Sequence, residues 1–208
     1  MNLAVVTLDY GKFNKVVSSL SIPNFQQYCD KHGYDLCVET EIVDVERPMA
    51  WSKHIVLQEY LPRYDWVYWI DTDCLIMNHT MKLETLIDDA SDMIIGMFMI
   101  PEGLPQSPYI LHTGGFLIRN CDWSLEYLHR VYAETNSIMS YSVDETAVTD
   151  LYRRNRSDRD HIKLVHFKHL CSVNEHYRDG HFVWHFARRH NLERARLMTD
   201  ALERVTCT

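Results

Sequence analysis

The sequence predicts a single α/β domain in which a mostly parallel mixed sheet is flanked by helices. Short apolar strands alternate with helical segments along the chain, which is typical of parallel sheets. The central strand, 66–70, is apolar and aromatic throughout, as in a sheet that is covered on both faces. The chain has 208 residues, which is enough for one domain with its own core.

Strands are predicted wherever a short apolar or β-branched run is bounded by turn residues. They are 3–8, 35–40, 66–70, 93–99, 115–119 and 163–167. Helices are predicted between them, at 14–32, 52–61, 83–90, 123–135, 143–152 and 191–204. Pro23 predicts a break in the first helix near Ser21, and Gly33 ends that helix as a C-cap. Pro62 stops the second helix, and the prolines of 101–108 predict a loop.

The charge balance excludes a general nucleic-acid binder. The 21 lysines and arginines are outnumbered by 29 acidic residues, so the net charge is −8 with histidine neutral. Phosphate contacts need a basic face. The basic run 153–156 is interpreted as a solvated loop. We therefore expect no nucleic-acid partner.

The six cysteines are expected to be reduced thiols. They form no CxxC pair and no spacing that is typical of zinc sites. Several lie in apolar stretches, where a free thiol behaves as a small hydrophobe. This usage favours a cytoplasmic setting. We also expect no signal peptide and no membrane span, because no apolar run approaches the roughly 20 residues that a bilayer needs.

Asp71 and Asp73 form the most informative motif of the chain. They follow the apolar strand 66–70, one residue apart, and a second apolar run comes after them. Buried carboxylates are costly unless something pairs with them, and a hard divalent cation is their natural partner. The alternative is a turn in which aspartate makes local hydrogen bonds. Ligands of α/β sheets bind beyond the carboxyl ends of strands, where residues 7–10 also fall.

Other segments carry candidate site residues, each with a purely structural alternative. The glycines of 112–115 would let backbone approach a ligand closely, or would form a plain bulge. Asp144 opens a helix, where an acidic residue also compensates the helix dipole. His185, among aromatic residues, is either a third metal ligand or a core histidine. Lys53, on the helix after Trp51, is by default a solvated charge.

Four segments, in this order, resemble the Gma12/Mnn10-type galactosyl-, mannosyl- and xylosyltransferases. Segment 51–78 carries a lysine-bearing helix, an apolar strand and Asp-Thr-Asp, like the family's Asp-(Ser/Thr)-Asp. Segment 113–133 is similar to the family's Asn-Ala-Gly-x-Phe-Leu-Ile-Arg-Asn stretch. Segment 144–147 resembles its Asp-Gln-x-Ala helix start, and 185–187 its closing His-Phe-Ala element.

The chain also departs from that family. Thr113 stands where the family usually has Asn, and Glu145 replaces Gln. The family's membrane anchor and stem are missing, and the chain is shorter than most relatives. We therefore expect a stand-alone cytoplasmic enzyme or the N-terminal domain of a longer chain, as in a bacterium or a large algal virus.

The resemblance implies a GT-A fold with a Rossmann-like nucleotide-binding half at 1–80 and a donor-sugar and acceptor half at 81–208. It implies a UDP-sugar donor, a glycan or other hydroxyl acceptor, and retention of anomeric configuration. Mn²⁺ or Mg²⁺ would stabilise the leaving diphosphate. Asp71, Asp73 and His185 are the expected metal ligands.

The resemblance also implies roles for the remaining candidates. Asp144 and Asp73 are the expected catalytic residues, with Asp144 near the anomeric carbon or the donor hydroxyls. The expected contacts to uracil, ribose, phosphate and donor sugar are Thr7, Asp9, Tyr10, Lys53, Asp71, Thr72, His112, Gly114, Gly115 and Arg188. The acceptor is expected to enter across 101–108 and 168–178.

Two rival functions remain open. A haloacid-dehalogenase-type phosphohydrolase also places Asp-x-Asp after a buried strand. That motif has Thr or Val at the position of Leu75, however, and no downstream Lys and Asp-Asp pair is evident. A non-catalytic nucleotide-sugar-binding module is the other alternative. The presence of both Asp71 and Asp73, together with His185, argues against it.

Overall fold

The computed structural model describes residues 1–11, 15–41, 43–99, 109–140 and 142–207. Helices cover a six-stranded sheet, and a three-stranded sheet accompanies it. The strands are β1 (Leu3–Leu8), β2 (Asp35–Glu39), β3 (Trp66–Ile70), β4 (Cys74–Ile76), β5 (Met93–Met99), β6 (Tyr109–Arg119), β7 (Ile162–His166), β8 (Ser172–Val173) and β9 (Val183–His185). The helices are α1 (Lys15–His32), α2 (Ser52–Tyr60), α3 (Asp122–Ala133), α4 (Asp144–Arg154), α5 (Arg156–His161) and α6 (Asn191–Leu202).

The large sheet has the strand order β2-β1-β3-β6-β5-β7. β1 is parallel to both β2 and β3, and β7 is parallel to β5. β6 is antiparallel to β3 and to β5. The sheet is therefore mixed and mostly parallel, which confirms the predicted fold class. No described helix combines the length and the apolar composition that crossing a bilayer requires.

The core lies on both faces of β3, as the apolar run predicts. Val67 and Trp69 pack on one face with Trp51, which precedes α2. Tyr68 packs on the opposite face with Phe25 of α1. Consecutive strand residues point to opposite faces, so an unbroken apolar run is buried on both sides. Each large side chain buried in this way stabilises the fold by about 1.5–3 kcal/mol.

The small sheet has the order β4-β9-β8 and was not anticipated from the sequence. β4 and β9 are antiparallel, with Cys74 opposite His185. The Phe186 backbone N–H donates to the Asp73 carbonyl at 2.9 Å. This pairing carries His185 to the end of β3, more than a hundred residues away along the chain.

The predicted break in α1 is wrong, because the helix continues through Pro23 to His32. The side chain of the next residue, Asn24, donates to the Ile76 carbonyl at 3.0 Å and accepts from the Ile76 N–H at 2.8 Å. This buried tertiary contact holds the helix at the point where its own hydrogen bonding is interrupted. The C-cap at Gly33 is confirmed, with φ of 74°. Residue 14, the predicted first residue, lies outside the described ranges.

Two further predictions from the sequence are wrong. The helix at 83–90 is only a single 3-10 turn, Leu83–Thr85, because the Lys163 ammonium donates to the Leu86 carbonyl at 2.9 Å and to Asp88 at 2.7 Å. The basic run 153–156 is not a loop, since it ends α4 and begins α5. The predicted loop at 101–108 lies outside the described residues.

Candidate functional site

The turn that carries Asp71 and Asp73 is fixed by backbone hydrogen bonds. The Asp71 N–H donates to the Gly114 carbonyl at 3.0 Å, and the Cys74 N–H donates to the Asp71 carbonyl at 3.1 Å. The Trp69 indole N–H donates to the Asp71 carboxylate at 2.7 Å. Asp71 is therefore oriented by two neighbouring strands, β3 and β6, at the carboxyl end of β3.

Asp71, Asp73 and His185 come together, as the motifs predict. His185 Nε2 lies 3.0 Å from Asp73 Oδ1 and 4.0 Å from Asp71 Oδ2. One ligand atom from each of the three lies within 4.8 Å of the others. Arg194 of α6 reaches the second oxygen of Asp73 at 3.1 Å. Burial opposes ionisation of Asp73, but His185 and Arg194 hold its pKa well below the usual range.

Lys53 is buried at the centre of the site. Its ammonium lies 3.3 Å from Asp71 Oδ1 and 3.3 Å from Asp144 Oδ2, and donates to the Thr113 carbonyl at 3.0 Å. Asp144 is also buried, with His54 Nε2 3.4 Å from its carboxylate. Burial opposes its ionisation, yet Lys53 and His54 lower the pKa of Asp144 to about 2. Lys53 thus joins the two carboxylates, and its predicted contact with phosphate or ribose stays a prediction.

His112 extends the polar cluster from β6. Its Nδ1 pairs with Glu145, and its Nε2 lies 3.0 Å from His185 Nδ1. Burial disfavours the charged ring, but Cys171 and Glu145 raise the pKa of His112 to about 9. Glu145, which replaces the family's Gln, therefore has a charged partner within the site.

The paired glycines make room for the histidines and for Tyr68. A methyl group on Gly114 would lie 2.6 Å from His185 Nδ1 and 2.7 Å from His112 Nε2. One on Gly115 would lie 2.8 Å from the Tyr68 hydroxyl. All three contacts are too close for a real side chain. The glycines are thus required by packing within the site, while their predicted contact with the donor sugar stays untested.

The end of β1 carries two buried oxygens without a hydrogen-bond partner among the described residues. They are Thr7 Oγ1 and one carboxylate oxygen of Asp9. Such groups are costly to bury unless a ligand or water satisfies them. Tyr10 follows them and is 42% exposed. A cavity of about 200 Å³ opens beside Tyr10, and Asp71, Thr72 and Asp73 also line it.

A larger cavity of about 440 Å³ adjoins this one at Lys53 and Asp71. Asp144, His112, His185 and Arg188 are among its lining residues. Three positions on its wall, Val143, Asn174 and Arg188, have positive φ values of 43°, 41° and 58°. In the described part of the chain these are the non-glycine residues with positive φ. Such strain gathers at functional sites because the surroundings must over-determine it.

Sequence reasoning missed several members of this cluster. Arg194 is one charged residue on an amphipathic helix, and nothing in its neighbours distinguishes it. The only feature of the sequence that pointed to His54 is that it follows Lys53 directly. Cys171 joins the site from the segment before β8, and its Sγ lies 3.9 Å from that of Cys74. No sequence motif links Arg194, His54 or Cys171 to the other residues of the site.

Comparison with known proteins agrees with the geometry. The chain matches the sequence profile of the galactosyl transferase GMA12/MNN10 family over residues 5–95. A stretch of 106 residues is 35% identical to probable glycosyltransferase 3 of Oryza sativa subsp. indica. This match covers 49% of the chain but only 22% of the rice protein's length.

Solved structures resemble the whole described fold. A glycosyltransferase involved in the glycosylation of the major capsid of PBCV-1 superimposes with a TM-score of 0.75 at 16% identity, covering 96% of this chain and all of the other. A second similar structure is a Drosophila galactosyltransferase 7 mutant in complex with manganese, UDP-Gal and xylobiose. It superimposes with a TM-score of 0.54 at 12% identity, covering 94% of this chain and 75% of the other. The chain therefore has the GT-A glycosyltransferase fold and resembles, through its N-terminal half, the galactosyl transferase GMA12/MNN10 family.

Proposed function

We propose that this chain transfers a sugar from a UDP-sugar to a hydroxyl group of a glycan or other acceptor, with the help of a divalent cation. The observation that carries the proposal is the convergence of Asp71, Asp73 and His185 beside the cavity of about 440 Å³. The complex of the Drosophila neighbour with manganese and UDP-Gal supports the same assignment.

The donor set fits Mn²⁺ or Mg²⁺. Two carboxylates with one imidazole suit these ions, and substrate phosphates commonly complete their coordination. When bound, the cation would neutralise negative charge that develops on the leaving diphosphate. The pKa of Asp73 lies well below the usual range, so its carboxylate is ionised at neutral pH, as a metal ligand must be. His185 would hold the ion through Nε2, the ring nitrogen that faces the aspartates.

The nucleoside would bind at the end of β1. Thr7 and Asp9 offer oxygens that lack partners within the described residues, which suits the polar edge of uracil and the ribose hydroxyls. Tyr10 is exposed enough to stack on the base. Arg188 lines the larger cavity and supplies positive charge for the diphosphate. Lys53 contributes indirectly, by holding Asp71 in place.

Asp144 would act beside the donor sugar. Its carboxylate is buried and ionised, and it lies on the wall of the larger cavity. A fixed negative charge there can stabilise positive charge that develops at the anomeric carbon. His112, with Gly114 and Gly115 behind it, would line the same sugar. Retention of configuration is proposed from the family resemblance alone.

Calorimetric titration of UDP in Mn²⁺ and again in chelator tests the site. We expect binding only with Mn²⁺, and Asp73→Ala should abolish it because the diphosphate loses its counter-ion. Asp89→Ala, an exposed aspartate outside the site, is the matched control and should bind normally. Unchanged affinity in Asp73→Ala would contradict the site. Metal-dependent binding without slow hydrolysis of any UDP-sugar would instead indicate a binding module.

A further inference from the structure

Two buried cysteines meet beside His185, although 97 residues separate them in sequence. Cys74 belongs to β4 and Cys171 precedes β8. Their sulfur atoms are 3.9 Å apart, and both residues are at most 1% exposed. Ligand atoms of Cys74, Cys171 and His185 all lie within 4.8 Å of one another. The proposed transfer reaction uses neither thiol.

We propose that Cys74, Cys171 and His185 bind a soft divalent cation such as Zn²⁺, at a second site that competes with the carboxylate site for His185. Thiolate and imidazole are the ligands that Zn²⁺ prefers, whereas Mn²⁺ and Mg²⁺ prefer oxygen. The two ligand sets therefore differ in chemistry and would select different ions. This proposal does not rest on the sugar-transfer function.

The separation of the sulfur atoms fits a tetrahedral ion. With Zn–S bonds of about 2.3 Å, two thiolates on one tetrahedral ion stand roughly 3.8 Å apart. The observed 3.9 Å is close to that separation. A disulfide would instead require the sulfurs to close to about 2.05 Å.

The surroundings hold these ligands in place. His112 Nε2 lies 3.0 Å from His185 Nδ1, and His112 is itself paired with Glu145. These contacts fix the positions of both imidazole rings. The absent side chain of Gly115 leaves room for Cys171, whose Cβ would otherwise lie 3.0 Å from a methyl group. The cluster is thus buried and free of steric obstruction on its glycine side.

Cobalt titration of the whole chain tests the second site without using UDP or activity. We expect one Co²⁺ per chain with the thiolate-to-cobalt charge-transfer absorption, displaced by Zn²⁺ and not by Mg²⁺. Cys171→Ser should weaken Co²⁺ binding at least about 10-fold and remove the absorption. Cys74→Ala is a second variant with the same expected loss, in case one of the two does not fold.

Two controls separate this site from the carboxylate site. Cys121→Ser is a matched cysteine variant outside the cluster, at the N-cap of α3, where serine is well tolerated. It should keep the cobalt spectrum. Asp73→Ala should also keep it, although the same variant should lose Mn²⁺-dependent UDP binding. Absence of the absorption in the wild type, or its persistence in Cys171→Ser, would overturn the proposal and make the thiols ordinary core residues.

Discussion

Lys53 shows how one residue can connect the parts of a site. It is 3% exposed and lies 3.3 Å from both Asp71 and Asp144. Burial disfavours its charge, but the two carboxylates keep its pKa above the usual value. Asp144 is buried and Asp71 is half-buried, and a buried cation is costly unless such carboxylates pair with it. The main effect of Lys53 is therefore on the geometry and charge of Asp71 and Asp144.

Replacing Lys53 should destabilise the fold strongly. Lys53→Met leaves Asp144 buried without its cation, and we expect the free energy of unfolding to fall by about 3 kcal/mol. Urea denaturation at neutral pH measures this. Lys82→Met, at an exposed lysine, is the control and should change stability little. Equal, small effects for both variants would show that the Lys53 ion pairs contribute nothing net.

Asp144 makes a second prediction at the level of one residue. Asp144→Asn removes the charge from the cavity wall but leaves Asp71 and Asp73 in place. We expect UDP to bind as in the wild type while sugar transfer slows about 100-fold, the size of effect that one electrostatic group contributes. Asp150→Asn, more exposed and on the same helix, should be fully active. A fully active Asp144→Asn would remove its proposed role.

Individual residues differ in how far the sequence predicts them. Asp71 and Asp73 were predictable because two charges at the end of an apolar strand demand a partner. His185 was predictable only through the family's His-Phe-Ala element. Arg194 and His54 were not, because a single polar residue on a helix is compatible with either solvent or site. Only the tertiary fold decides between the two.

Among the elements, α5 depends on a single buried acid. Asp158 accepts two hydrogen bonds from Arg130 of α3, at 2.7 and 2.8 Å, and one from the Trp123 indole at 3.1 Å. These contacts fasten α5 to α3. They explain why a segment of mostly charged residues, which resembles a loop in sequence, forms a helix instead. Burial raises the pKa of Asp158, but these hydrogen bonds outweigh burial and hold it below the usual value.

The lowered pKa of the Asp158 carboxyl predicts how the stability of the fold depends on pH. Because its folded pKa is lowered, its contribution is present above about pH 3.9, the value for an unfolded chain, and is lost as the pH falls through the folded pKa. Asp158→Asn should reduce unfolding free energy by about 2 kcal/mol at pH 7. Urea denaturation should show this difference from the wild type shrinking below pH 4. Asp160→Asn, exposed on the same helix, should show no difference at either pH.

Element boundaries were harder to predict than element types. β6 begins at Tyr109, not at the predicted residue 115, because β5 also pairs with residues 109–112 across a bulge at Ile95 and Gly96, beyond the polar and glycine residues 112–115. Polar and glycine residues gave no strand signal there. The small sheet was missed for a related reason. Its strands are two or three residues long and acquire their identity from pairing between distant segments.

At the scale of the whole molecule, ligand binding should raise stability. Mn²⁺ and UDP bind only the folded chain under the proposed function, so at 100 times the dissociation constant they add about 2.7 kcal/mol. For a domain of this size that corresponds to a rise in Tm of roughly 5–10 °C. Differential scanning fluorimetry measures it. UDP in chelator should give no rise, and an equal rise there would contradict metal-dependent binding.

The overall architecture was largely predictable, since alternating strands and helices leave few ways to build a covered sheet. The position of the site was predictable for the same reason, because strand ends of one sheet meet at one edge. The inner connections of the site were not. Lys53 with Asp144, and Cys74 with Cys171, join residues far apart in sequence, and only packing brings them together.

The three strained backbone positions on the cavity wall have a consequence for selection. Val143, Asn174 and Arg188 each hold a conformation that costs about 1–3 kcal/mol and that glycine adopts without strain. Glycine at these positions would relieve the strain and would also free the wall of the cavity to change shape. Laboratory evolution of a hardier variant would therefore tend to begin by eroding substrate discrimination.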